Sequence, residues 1–236
     1  MLTAALGCPS RYCTDTSWSR FQHVFLRLFR RFGLPQRIHA DQGRPWAGPG
    51  PAWLSQLSAW WVSLGIRPTF SRRARPGDNA SHEQWHRELK TDTTRPPAAT
   101  PAAQQRRFTQ WLRTYNQERP HEALALRPPA EFYHRSRRRY RGVRPPRYSR
   151  GWAVRRVRPN GEIYWVGRSR FIGEAFVRQQ VALQPCRRNR WRVFFYGWLI
   201  GKSTATIREP CARPPTGVAE LQICQRCPEF KVSAMS

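Results

Sequence analysis

Apolar residues recur at three- and four-residue steps through Trp18, Phe21, Phe25, Leu28, Phe29 and Phe32, which predicts a helix over residues 16–32 with a core-facing stripe. Gly33 at its end and Pro35 two residues on supply a strong stop. Before this helix, Leu2–Leu6 reads as the end of a short strand. After it, Arg37–Ala40 reads as another, closed by Asp41-Gln42-Gly43. A second amphipathic helix is expected over 53–64, carrying Trp53, Leu54, Leu57, Trp60, Trp61 and Leu64, with Gly65 as its stop. Ile66–Phe70 is a short strand whose Pro68 suits an edge. Asp78 or Asn79 can cap a third helix, which runs to about Lys90 and is anchored by Trp85 and Leu89. A fourth covers about 101–117, with Phe108, Trp111, Leu112 and Tyr115 on its core stripe.

Beyond residue 150 the period shortens. Trp152–Arg158 and Glu162–Gly167 flank Pro159-Asn160-Gly161, a hairpin signal. Arg170–Ile172, Ala175–Leu183, Trp191–Phe195 and Trp198–Ile200 are further short strands, and the set suggests a small barrel. Between the two patterns, residues 134–150 hold eight arginines and Pro145-Pro146, as a basic linker would. Residues 210–236 lack a clear period and read as a tail.

Charge then narrows the partner. Lys plus Arg number 42 against 14 Asp plus Glu, and all the basic residues but Lys90, Lys202 and Lys231 are arginine. A formal net charge of +28 exceeds what solubility needs and implies a polyanion, with arginine suited to bidentate phosphate contact. Eleven tryptophans argue against disorder. Cysteines 8, 13, 186, 211, 224 and 227 show no disulfide framework, which fits reduced thiols in a cytoplasm. Cys224-x-x-Cys227 is half a zinc site without a second pair at suitable spacing. Met1–Cys8 lacks the basic and apolar regions of a leader, and no run approaches the ~20 apolar residues of a membrane span, so a soluble intracellular protein is expected.

Two carboxylates stand out. Asp41 follows a strand and precedes a glycine, where open α/β sheets present ligand-binding groups, although an Asx turn would use the same residues. Glu83, Arg87 and Lys90 fall at i, i+4 and i+7 on one helical face, either as a solvated face or as an acid followed by cations that meet a polyanion. The basic loop Arg72-Arg73-Ala74-Arg75 leads into that helix.

These residues combine into a wider pattern. Gly33-Leu34-Pro35, Asp41-x-Gly43, Trp60-Trp61-x-x-Leu64-Gly65-Ile66-Arg67 and Asn79-x-x-x-Glu83-x-x-His86-Arg87-x-Leu89-Lys90 come in that order. Tyr115-Asn116-x-Glu118-Arg119-Pro120-His121-Glu122-Ala123-Leu124 and Pro128-Pro129-Ala130 complete it. Over residues 1–137 the chain resembles bacterial insertion-sequence transposases with a retroviral-integrase catalytic core. The resemblance implies an α/β ribonuclease-H-like fold with incomplete first strands over 1–137, and a linker over 138–150. It further implies a small all-β SH3-like, DNA-binding barrel over 151–209, followed by an unstructured tail over 210–236.

It also implies an activity. Such proteins move DNA with Asp, Asp and Glu holding two Mg²⁺ (or Mn²⁺) ions for phosphoryl transfer. Asp41 would be the second acid and Glu83 the third, each a catalytic residue and metal ligand. Arg72, Arg73, Arg75, His86, Arg87, Lys90, Arg119, Arg155, Arg168 and Arg192 would bind DNA. The implied partners are transposon ends and target DNA and further copies of the full-length chain, with no membrane and a nucleoid-associated, cytoplasmic place in a bacterium.

The sequence departs from that family in several ways. The first Asp would stand upstream of the run matching Leu2–Leu6, and Asp15 lies past that strand. The usual amino-terminal helix-turn-helix region is absent, Ala80-Ser81 replaces a Gly-basic pair, and the Asp41-to-Glu83 spacing exceeds the short form. The expectation is therefore an N-terminally truncated, catalytically impaired copy with a tail that reads as out-of-frame sequence. The alternative is a non-enzymatic basic DNA-binding protein left by a mobile element. A third expectation is a chain whose exposed sheet edge prevents stable folding.

Overall fold

Helix α1 (Trp18–Phe32) buries Phe25 and Phe29 and ends where the sequence pattern stops. In this computed structural model, residues 18–71, 80–186 and 190–204 are described. The expected first strand at Leu2–Leu6, the basic loop 72–75, the Asp78/Asn79 cap, the tail, and all cysteines but Cys186 lie outside the described residues. The described residues form two units, 18–42 with 69–141 and 43–68 with 142–204, so residues 43–68 group with the C-terminal β-rich segment.

In the first unit, Gly33 at φ +81° lets its N–H bond Phe29 O at 2.9 Å and turns the chain out of α1. A Cβ there would lie 2.5 Å from Ser136 O, so the position excludes side chains. The arginine-rich stretch is tied down next to it. Leu34 N–H donates to Arg138 O at 2.7 Å, Ser136 Oγ donates to Leu34 O at 2.6 Å, and Arg138 reaches Pro35 O at 3.0 Å. Strands β1 (Arg37–Ala40) and β2 (Arg67–Phe70) pair. Thr69 Oγ1 donates to Ile38 O and Ser71 N–H to Ala40 O, so the pairing advances in the same direction along both chains.

Helix α3 (Ala80–Thr94) extends beyond the expected end near Lys90. Thr94 Oγ1 returns a bond to Lys90 O at 2.7 Å within the helix, and Gln104 from the next helix donates to Thr93 O at 2.8 Å, so carbonyls of the last turns are met by side chains. Helix α4 (Pro101–Gln117) begins with Thr100 as cap and proline at its first position, as favoured at a helix start. An aromatic ladder joins the two helices: Trp85–Trp111 at 5.6 Å, Trp111–Tyr115 at 4.8 Å, and Tyr115–His121 at 4.6 Å between ring centroids.

In the second unit, helix α2 spans Gln56–Ser63, shorter than the 53–64 read from periodicity. Ser55 forms a capping box with Ser58, so the helix starts after Leu54, while Pro51–Trp53 makes a separate 3-10 turn. Gly65 N–H bonds Val62 O at 2.9 Å and Ile66 N–H bonds Trp61 O at 2.9 Å, a Schellman ending at φ +69°. Leu57 and Trp61 are fully buried, and Pro51 packs on Gly173.

The rest of this unit is β3 (Ala153–Arg156), β4 (Glu162–Trp165), β5 (Arg168–Phe171), β6 (Gln180–Cys186), β7 (Arg190–Phe195) and β8 (Trp198–Thr204). A four-stranded antiparallel sheet runs β3-β6-β7-β8, and β4-β5 is a separate hairpin. The hydrogen-bonded ladders among the described residues do not close into a barrel. The expected β3–β4 hairpin is also corrected. Asn160-Gly161 does reverse the chain, with Arg158 N–H on Glu162 O at 2.8 Å, but β3 pairs with β6 and β4 with β5. Ala175 and Phe176, expected to open a strand that runs to Leu183, lie instead in a 3-10 turn, Glu174–Phe176, that buries Phe176.

Candidate nucleic-acid interface

The end of β1 builds a polar line. His39, two residues before Asp41, lies with Nδ1 3.2 Å from Thr69 Oγ1 and Nε2 3.2 Å from Ser71 Oγ. Ser71 Oγ donates to Asp41 Oδ1 at 3.4 Å. Asp41 is exposed at the strand exit. The period-two step from His39 to Asp41 is legible along one strand, whereas Ser71 reaches the acid only because β2 lies alongside.

Helix α3 has two sides. Trp85 is 5% exposed and Leu89 half-buried, so the apolar anchors face α4. Glu88 and Asp92 also serve that packing, Glu88 through Arg119 at 3.0 Å and Asp92 through Trp111 Nε1 at 2.8 Å. Glu83 lies in the first turn, where the positive end of the helix dipole favours an acid. Glu83, His86, Arg87 and Lys90 are exposed. Asp41 and Glu83 belong to the same unit.

Arg119 sits differently from the other expected DNA contacts. Its guanidinium pairs with Glu88 and lies 5.7 Å from the Tyr115 ring centroid. Desolvation raises the Tyr115 pKa, Glu88 adds to that rise, and Arg119 opposes it. The Tyr-Asn-x-Glu-Arg-Pro-His run thus closes the α3–α4 packing.

The expected arginines of the β-rich segment divide. Arg155 is exposed and lies 4.8 Å over the Trp165 ring, and Arg168 is the cross-strand neighbour of Trp165. Arg192 pairs with Lys202, on the sheet face opposite Trp191 and Val193. Arg155 and Arg168 are therefore brought to one aromatic side chain, and Arg192 is on the reverse side.

Residues 64–129 match the family described as Integrase core domain. The match takes in α3 with Glu83 and the whole α3–α4 packing, while Asp41 precedes it. It supports an integrase- or transposase-type core, and with it DNA as the partner. Asp41 and Glu83 are hard oxygen donors of the kind Mg²⁺ takes. Among the described residues, however, no group of three or more His, Cys, Asp or Glu side chains could hold a metal ion. No described helix is long and apolar enough to cross a membrane.

Proposed function

We propose that this chain is a DNA-engaging protein of the insertion-sequence transposase type, derived from a Mg²⁺-dependent phosphoryl transferase and impaired in that chemistry. One observation carries this reading: within the integrase-core match, α3 exposes Glu83, His86, Arg87 and Lys90 while its other side is committed to α4. An acid followed by three residues able to meet phosphate suits a nucleic-acid backbone. Asp41, held by Ser71 at the end of β1, is the other carboxylate of the proposed site. Asp41 and Glu83 are two of the three acids that such a phosphoryl transferase uses, and the proposal takes the pair alone as insufficient for a two-metal clamp. The C-terminal sheet and hairpin act in the proposal as an SH3-like DNA-binding module, and the full-length protein as a homo-oligomer.

The test incubates the purified chain with duplex DNA, with Mg²⁺ or Mn²⁺, across ionic strength. Binding should weaken steeply with salt as phosphate contacts release counterions, and strand transfer should be absent. Robust strand transfer lost in Asp41→Asn would overturn the impairment. Absence of DNA binding at low salt would overturn the whole reading. The other reading, a basic DNA-binding protein without chemistry, draws on the excess of 42 Lys plus Arg over 14 Asp plus Glu, and it predicts binding indifferent to substitution of both carboxylates.

A further inference from the structure

We propose that Arg155, Trp165, Arg170 and Trp191 form a seat for one phosphodiester of the DNA backbone, where the inner face of the four-stranded sheet meets the β4–β5 hairpin; the inference rests on the DNA-binding reading above. The strand registers place these residues together. Arg155 pairs with Val181, and Trp191 lies two residues from Val193, which pairs with Leu183. Arg155 and Trp191 therefore share the sheet face that buries Val181, Leu183 and Val193. On the hairpin, Ile163 pairs with Arg170 and Trp165 with Arg168, so Trp165 and Arg170 share the face that buries Ile163. The Trp165 and Trp191 rings meet edge to face at 4.8 Å, and the Arg155 guanidinium lies 4.8 Å from the Trp165 ring centroid.

The chemistry of this seam is one-sided. Trp165 Nε1, Trp191 Nε1 and Arg170 Nε are buried without a hydrogen-bond partner. All three are N–H groups that can only donate, and leaving them unmet in the interior is unfavourable. Desolvation lowers the Arg170 pKa and the Arg168 charge lowers it further, the mark of a cation without a compensating anion. Residues 142–204 hold two acids, Glu162 and Glu174. Glu162 pairs with Phe171, so it points to the other hairpin face, where it accepts from the Asn160 amide at 2.8 Å. Glu174 opens the 3-10 turn at Glu174–Phe176. A ligand that completes the seam must bring acceptors and negative charge together. A phosphodiester brings both, with two non-bridging oxygens for the donors and a charge for the guanidinium groups. Arg155 is the exposed member, its guanidinium beside the Trp165 ring and donating to Val154 O at 2.9 Å, and it is the group that a phosphate arriving from solvent meets first. The seat holds backbone and reads no base, so it adds affinity without sequence preference.

The experiment follows the indole N–H resonances of the full chain, with Trp165 and Trp191 assigned through Trp165→Phe and Trp191→Phe. A short duplex of arbitrary sequence is the titrant, and inorganic phosphate is run in parallel. Both resonances should move as the duplex binds, and Arg155→Gln should lower affinity several-fold and reduce the salt slope by about one. Arg170→Gln should do the same, and Trp191→Phe, which keeps an aromatic ring while removing one donor, should lower affinity as well. Binding by gel shift with both indole resonances unmoved would overturn the seat and leave the DNA-binding reading standing. Resonances moved by inorganic phosphate but not by duplex would also overturn it, in favour of a small-anion pocket. No duplex binding at all would overturn both.

Discussion

Arg119 Nη1 lies 3.0 Å from Glu88 Oε2, tying the segment just after α4 to the middle of α3. Both side chains keep part of their solvent contact, so the pair contributes about 1 kcal/mol or less. Arg119→Ala should lower the unfolding free energy by about that amount in a urea titration. A double-mutant cycle with Glu88→Gln should assign most of the loss to the pair. The salt slope of DNA binding should change little, and a fall of about one in that slope would instead make Arg119 a phosphate contact.

Trp61 is fully buried, and Trp46 stacks on it at 6.0 Å. Trp61→Ala should cost about 3–5 kcal/mol through lost transfer energy and the cavity left behind. Urea unfolding would read this directly. Trp61→Phe keeps most of the apolar surface, so it should cost clearly less.

Metal removal separates charge from chemistry. Arginine contacts to phosphate need no ion, so EDTA should leave duplex affinity unchanged within experimental error. Mn²⁺ followed by its paramagnetic effect should bind weakly to the wild type and more weakly still to Asp41→Asn and Glu83→Gln. Tight Mn²⁺ binding that survives both substitutions would place the metal elsewhere in the chain.

Tyr148 gives a pH signature. Its hydroxyl donates to Gln180 O at 2.8 Å and accepts from Tyr196 N–H at 3.4 Å. Desolvation raises its pKa to about 12, the Tyr196 backbone bond opposing and the Tyr196 charge adding. With the folded pKa above the unfolded value near 10, the unfolded chain loses its proton first. Stability from this group is complete below pH ~10 and is lost as pH rises through about 12. Unfolding midpoints measured across that range should fall less steeply in Tyr148→Phe than in the wild type.

Local signals were read well where the physics is local. The Gly33 stop, β1 at Arg37–Ala40 and α4 at Pro101–Gln117 match the expectation, because period, caps and breakers act within a turn or two. The separation of Trp85 from Glu83 and Arg87 on α3 was visible in the same way. The α2 start was missed because Ser55 is an ordinary residue until its hydroxyl accepts from Ser58. The expected β3–β4 pairing does not form because Asn160-Gly161 dictates a reversal of the chain, not which strand takes the ladder.

The amino-acid order alone established an arginine-rich chain, helical before residue 140 and β-rich after it, with Asp41 and Glu83 at strand and helix ends. Short-range sterics, capping and charge composition are properties of neighbours in the chain, so they are readable without coordinates. Only the folded molecule decided that Arg119 belongs to Glu88, that residues 43–68 group with the C-terminal sheet, and that Trp165 and Trp191 meet with their N–H groups unmet. Those choices depend on which apolar faces bury one another across long stretches of chain, and that free energy has no signature at any single position.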